Sequence, residues 1–368
     1  MPQINPELIA LKQLLSPINR AHQGIATTIG LLASSGLNPT QQIPEMCHFL
    51  KKLFNLSSSG FFWSDQEGNM QDAWCLAPNF LNFKTLMSCL EYQASGVRPW
   101  PPFQENMLVG AVAGYLLPFQ NEHFYASPYF RESYLSISVQ HILDVVLHDG
   151  TRPFGAFLLM RSAQQGPFAP DERSLMEQLI PILNLTFSTP SEGTTQYAEQ
   201  ALAGFALVGR DGKYKSMSEE ARRIVWMLAH TRPGSFADPN DPSIELHLEQ
   251  LTAKHRDDIQ PGEKFSVDLN NRWGSFSLTL EQEISTLDMI VMLRRQVPLA
   301  AQLAFRLARF DLPPMRQMVA WLLAQNQSRN KIADTLGISV ETVTSHIKLV
   351  YQLTGASSSH GLMLKLAS

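Results

Sequence analysis

The sequence predicts an α+β front part built on antiparallel sheets and an all-α tail, and three observations carry that prediction. Short apolar runs bounded by turn residues recur between Gly60 and Leu293. Stretches with apolar residues three and four apart lie between and around them. From Pro298 onward only the helical spacing survives. At about 150 residues per domain, 368 residues suggest two to three domains. With 44% hydrophobic and 17% charged residues, the chain can bury cores.

The elements follow in order. Leu8, Leu11, Leu15 and Ile18 give a short amphipathic segment, read as docking within the chain, with a partner chain as the alternative. A helix is predicted from Pro39 to about Phe54, with Ile43, Met46, Cys47, Leu50 and Phe54 on one face. Gly60–Ser64 and Met70–Cys75 read as a strand pair around a turn at 65–69, and Phe80–Tyr92 as a helix. The connection from Val97 to Phe130 is long, rich in proline and aromatic residues, and of a length that marks functional loops. His141–Leu147 and Phe154–Arg161 flank Asp149-Gly150, a hairpin signal. Pro170-Asp171-Glu172 opens a helix with Leu175, Leu179, Ile182 and Leu183 in one stripe, running to about Phe187. Residues 188–196 read as a linker.

A second unit then starts with a strand at Ala203–Val208, a turn at Asp211-Gly212 and a continuation at Tyr214. Ser218 caps a helix carrying Ala221, Ile224, Val225 and Leu228. After a proline-rich loop at 233–242 come strands at Lys264–Leu269, Arg272–Leu280 and Asp288–Leu293.

The hairpin with PFAPDERSLMEQLIPILNLTF, and FYASPYFRESYLSISVQ before it, resembles a GAF domain over residues 39–189. The segment GFALVGRDGKYKSMSEEARRI with its later strands is similar to a PAS domain over residues 197–295. The resemblances imply antiparallel sheets flanked by helices, as in sensor domains, after an N-terminal helical segment at 1–38.

The strongest pattern lies in SRNKIADTLGISVETVTSHIKLVYQLTGASS, residues 328–358. A helix at Arg329–Leu336 offers Ile332 and Leu336 to a core, and small Ala333 lets a second helix cross closely. Gly337 suits the left-handed turn that ends this helix. Ser339 caps the next one and Glu341 complements its dipole. That second helix buries Val343, Ile347 and Val350 and turns Thr342, Thr344, Ser345 and Lys348 outward, a surface of short hydroxyls and one cation that can approach phosphates and base edges.

From residue 311 to the C-terminus the chain resembles the LuxR-type helix-turn-helix, a four-helix DNA-binding module. Matching residues include Leu312, Pro314, Val319, Leu323, Ile332, Ala333, Leu336, Gly337, Ile338, Ser339, Thr342, Val343, His346, Tyr351 and Gly355. The chain departs from the pattern at Met315-Arg316, where the family has Arg-Glu, and at Thr344, where it has lysine. The resemblance implies that the third helix enters the major groove and the fourth supports dimerisation. Arg329, Lys331, Ser339, Thr342, Thr344, Ser345 and Lys348 are the candidate DNA contacts, reached through a connecting helix at 298–310.

Charge fits that division. The chain carries −4 overall, yet residues 305–368 hold seven basic against three acidic side chains, net +4, and the remainder is −8.

Other classes are disfavoured. The sequence has no phosphate-binding, dinucleotide, zinc-protease or nucleophile-elbow motif, and no phosphoacceptor receiver pattern, so no enzyme is expected. Its ten histidines are scattered and read as structural. Cys47, Cys75 and Cys89 match neither a disulfide framework nor a zinc pattern. The longest apolar run, Met107–Leu117, has 11 residues, short of the roughly 20 that cross a bilayer. Without a signal peptide pattern the expected compartment is the cytoplasm.

By the GAF resemblance, a ligand would sit among aromatic residues, for which Trp63, Trp74, Phe83, Tyr115 and Tyr125 are candidates beside ordinary core roles. The expectation is a transcription regulator controlled by an unidentified small-molecule effector or a partner acting on the front domains. No cofactor is implied. Double-stranded DNA and a second copy are the expected partners, RNA polymerase a further candidate, and no membrane is involved. The alternative is a constitutive DNA-binding regulator whose front domains serve only dimerisation and protein contacts.

Overall fold

The computed structural model describes residues 6–76, 103–109, 114–116, 122–187, 195–233, 241–256 and 259–367. Among them, ten strands form two five-stranded antiparallel sheets, with helices before, between and after. The fold is therefore α+β with a helical C-terminal part.

Helix α1 (Pro6–Leu14) leads into α2 (Arg20–Ala33) and α3 (Pro39–Leu53). Leu8 and Leu11 are fully buried within the chain, and α1 packs on α2, so the N-terminal stripe docks intramolecularly. A Cβ on Gly30 would lie 2.1 Å from Leu11, so glycine is what lets α1 and α2 approach. The whole second half of helix α2, Ala26 to Ala33, is buried. Thr27 and Thr28 are tolerated there because their hydroxyls donate back to Gln23 and Gly24 carbonyls at 2.6 and 3.1 Å. Helix α3 starts as predicted, with Asn38 accepting from the Thr40 amide and proline in its first turn.

The first sheet contains β1 (Ser58–Ser64), β2 (Met70–Cys75), β3 (Tyr115–Leu116), β4 (His141–His148) and β5 (Pro153–Arg161), in the order β2-β1-β5-β4-β3. The β4–β5 hairpin closes over Asp149, whose carboxylate accepts from the Thr151 and Arg152 amides. Phe61, Trp74, Val145, Phe157 and Leu159 face the helices, which include α3 and α4 (Pro170–Leu183). Three short helical turns, 103–107, 122–126 and 128–133, lie on the way from β2 to β4. The predicted helix at Phe80–Tyr92 lies outside the described residues, as do Cys89 and most of the predicted linker.

The second sheet contains β6 (Tyr197–Val208), β7 (Tyr214–Met217), β8 (Lys264–Asn271), β9 (Gly274–Gln282) and β10 (Met289–Pro298). Its order, β7-β6-β10-β9-β8, is that of the first sheet. Helix α5 (Glu219–Ala229), capped by Ser218 as predicted, lies on β6 and β10, and α6 (Pro242–Ala253) lies on α5. A Cβ on Gly204 would come within 2.1 Å of the Ala221 amide, so α5 sits directly on β6.

Strand β10 runs past the predicted end at Leu293. Arg294-Arg295-Gln296 reads as a polar strand end, yet Arg295 is buried and ion-paired to Glu45 of α3 at 2.6 Å. Arg272 meets Asp72 of β2 at 2.5 Å, Arg223 of α5 donates to the Leu76 carbonyl at 2.6 Å, and Trp63 packs edge-on to Trp273. The two sheets are thus joined through buried charge as well as aromatic contact.

Strand β10 passes straight into α7 (Leu299–Leu307), followed by α8 (Pro314–Ala324), α9 (Arg329–Leu336), α10 (Val340–Thr354) and α11 (Ser359–Ala367). Helix α8 packs on α2, α7, α10 and α11, and α9 touches α1. One continuous apolar core runs from Leu8 to Leu366.

Candidate nucleic-acid interface

The α9–α10 pair is positioned by local chemistry. Ser328 accepts from the Lys331 amide at 3.2 Å and starts α9. Gly337 ends it with φ 63°, and the Ile338 amide returns to the Ala333 carbonyl at 3.1 Å. Ser339 then accepts from the Thr342 amide at 3.2 Å and starts α10. Its own backbone amide, and after it the Ser339 hydroxyl, hold the Glu341 carboxyl below its ordinary range. Ile332, Ala333, Leu336, Val343, Ile347 and Val350 are buried, which fixes one helix across the other.

What remains outside is the predicted face. Arg329, Ser339, Thr342, Thr344, Ser345 and Lys348 are exposed, and Lys331 is half-buried. The structure brings these seven residues together on two consecutive helices. Their hydroxyls are not equivalent, however. Ser339 is committed to capping and shares a 3.1 Å hydrogen bond with the Thr342 hydroxyl, while Thr344 donates to the Val340 carbonyl at 2.9 Å.

Two features were missed by sequence reasoning. Lys365, counted among the basic residues of the tail, reaches back from α11 to the Thr354 and Gly355 carbonyls at 3.0 and 2.7 Å and closes the C-terminal end of α10. No spacing rule signals that contact. His346 is turned toward the protein, its Nδ1 buried, and burial together with the Arg316 charge lowers its pKa.

The aromatic candidates of the first unit do not converge. Trp74 pairs with Phe61 across β1–β2 and lies on the helix-facing side, where His48 of α3 meets it edge-on. Trp63 shares that side and contacts Trp273 of the second unit. Tyr115 stands opposite Val146 on the other face, with its hydroxyl donating to the Asn106 carbonyl at 2.5 Å. Tyr125 packs on the same outer face. Phe83 lies outside the described residues. Strand alternation separates these groups, because β1 and β2 turn the two tryptophans inward.

Among the described residues no group of three or more histidine, cysteine, aspartate or glutamate side chains could hold a metal ion, and no helix is long and apolar enough to cross a membrane. Cys47 and Cys75 are free and buried, and burial pushes the Cys47 thiol well up.

No protein-family model matches the chain, and no curated protein matches it. Among solved structures, the phage VqmA–DPO complex is 18% identical, with 46% of this chain and 82% of that chain covered and a TM-score of 0.19. An extracellular ligand binding receptor from Desulfohalobium retbaense DSM5692 is 11% identical, with 80% of this chain and 40% of that chain covered and a TM-score of 0.18. At such scores neither likeness bears on the fold or the function of this chain.

Proposed function

We propose that the protein is a sequence-specific DNA-binding transcription regulator of the LuxR type, acting as a homodimer in the cytoplasm and not as an enzyme. The observation that carries the reading is the α9–Gly337–α10 unit, capped at each start and presenting Arg329, Thr342, Ser345 and Lys348 on one exposed face. Lys348 and Arg329 would hold phosphates, and the short hydroxyls would lie against base edges. Residues 311–368 form this module in the proposal, 298–310 its connection, 39–189 the GAF-like unit, 197–295 the PAS-like unit and 1–38 the N-terminal segment. The strand order common to both sheets supports reading the two front units as related sensor folds. RNA polymerase is a candidate contact of the assembled regulator.

The packing supports control by an effector as the route of regulation. Helix α8 touches α2 and α7, and α11 touches α7, so a change in how the front units sit reaches the DNA-binding helices through buried side chains. A ligand that prefers one arrangement shifts the population toward it.

The test is binding of the full chain to duplex DNA across a salt series. Three to four phosphates per protomer give a dimer a log–log slope of about −5 to −7. A slope near zero overturns the reading. Lys348→Ala weakens binding to all sequences alike, and unchanged affinity overturns this docking pose.

A further inference from the structure

The two sheets meet along β2, and the groups that join them leave hydrogen-bond donors over. Asp72, Trp74 and Leu76 succeed one another on the helix-facing side of that strand, about 7 Å apart. At one end of the row Arg272, in the turn between β8 and β9, is ion-paired to Asp72 at 2.5 Å and donates its Nε to the His230 carbonyl at 3.0 Å. At the other end Arg223 of α5 donates through Nη2 to the Leu76 carbonyl at 2.6 Å. Trp74 stands between these two anchor points and is 2% exposed.

Each of these three side chains keeps a buried nitrogen without a hydrogen-bond partner among the described residues, namely Nε of Arg223, Nη2 of Arg272 and Nε1 of Trp74. The two arginine side chains are 12% and 14% exposed. Buried polar groups are normally satisfied, and leaving one unmet is costliest where it is charged. All three groups are donors, so what they lack is an acceptor. Charge points the same way. Two guanidiniums face one buried carboxylate here, because Glu219, 3.4 Å from Arg223, is 63% exposed and Glu45 is taken by Arg295 at 2.6 Å. His48 of α3, edge-on to Trp74, feels the excess. Burial first lowers its pKa, and the charges of Arg223, Arg295 and Lys51 act in the same direction against Glu45. A buried water would satisfy the donors and leave the positive charge unanswered.

We propose that this seam binds a small monocarboxylate, held by Arg223 and Arg272 from the second unit and by Trp74 from the first. Its two oxygens can accept charge-assisted hydrogen bonds from both guanidiniums and a further one from the indole N–H. A single negative charge balances the excess, whereas a dianion overshoots it and a neutral amide leaves it in place. Because the donors come from both units, the bound anion ties the two sheets together. The site does not depend on what the α9–α10 face binds.

The test uses the full chain at neutral pH and constant ionic strength, with sodium acetate, propionate and benzoate as probes, the matching amides and sodium sulfate as controls, and sodium chloride as the balancing salt. Calorimetry and thermal melting are read. A carboxylate binds at least tenfold more tightly than its amide and than sulfate, and near saturation it raises the melting temperature by several degrees above the chloride control. Arg223→Gln and Trp74→Phe each lose at least fivefold in carboxylate affinity. Glu219→Gln, at an exposed position, folds as wild type does and binds at least twofold more tightly, because it removes the carboxylate that competes for Arg223. If either buried variant fails to fold, the comparison of acids with amides and the Glu219→Gln variant decide. Amides or sulfate matching the carboxylates, chloride alone giving the full stabilisation, unchanged affinity in folded Arg223→Gln, Trp74→Phe or Glu219→Gln, or no binding of any carboxylate each overturns the proposal.

Discussion

The two sheets have the same strand order and different outer faces. In the first, the stretch between β2 and β4 brings short helical turns and a belt of aromatic residues onto the face away from α3, where Phe124, Phe130 and Met107 are buried. In the second, the corresponding stretch between β7 and β9 puts α5 and α6 on the inner side, where Gly204 admits Ala221. The outer face there stays open, with Phe205 67% exposed beside exposed Ile290 and Met292. Strand order alone therefore does not give a sheet its role. The destination of one connection decides whether a face is enclosed or left to solvent.

The sharpest way to break this comparison is a pair of phenylalanine truncations. Phe61→Ala, on the enclosed inner side of the first sheet, costs about 3–5 kcal/mol, while Phe205→Ala changes stability by no more than about 0.5 kcal/mol. Equal urea midpoints for the two would erase the distinction. Next comes the joint between the sheets. Arg295→Ala leaves Glu45 buried without its cation and costs about 3–5 kcal/mol by the same measurement. A smaller effect, about 1–3 kcal/mol, is expected for Gly204→Ala, where the new methyl meets the α5 backbone. A loss near zero would mean that α5 is free to lift.

The smallest effects separate the sheets by sign. Asp144 in the first has its pKa raised from 3.8 to about 7, so the stability linked to its neutral form is complete below about pH 4 and lost as pH rises through about 7. Glu283, in the turn before β10, has its pKa lowered from 4.5 to about 2, first by the Ser285 and Thr286 hydroxyls. Its contribution is present above about pH 4.5 and lost as pH falls through about 2. Melting curves from pH 2 to 8 should flatten at the neutral end in Asp144→Asn and at the acidic end in Glu283→Gln.

Sequence reading worked where structure is local. The caps Ser218 and Ser339, the left-handed Gly337 and the Asp149-Gly150 hairpin are each determined within a few residues. It stopped short where partners are distant. Arg295 and Glu45 are 250 residues apart, and only their meeting explains why β10 continues through two arginines. Over its second half, Ala26 to Ala33, helix α2 is buried on all sides and offers no polar face to mark it as a surface helix. The DNA-contact candidates emerged together because they lie on adjacent short helices. The aromatic candidates scattered because one residue of strand register decides which face a ring takes.

Thr344 shows how a single internal hydrogen bond limits a surface. Its proton is spent on the Val340 carbonyl, so what α10 holds outward at that position is oxygen lone pairs and a methyl group. In the regulator proposed above, a base lying against Thr344 must itself donate, as the amino groups of cytosine and adenine do, or offer the thymine methyl for apolar contact. The lysine that the LuxR-type pattern has at this position would instead favour the acceptor edge of guanine. If the chain binds DNA as proposed, its operator is expected to differ at that step from those of LuxR-type regulators that carry lysine there.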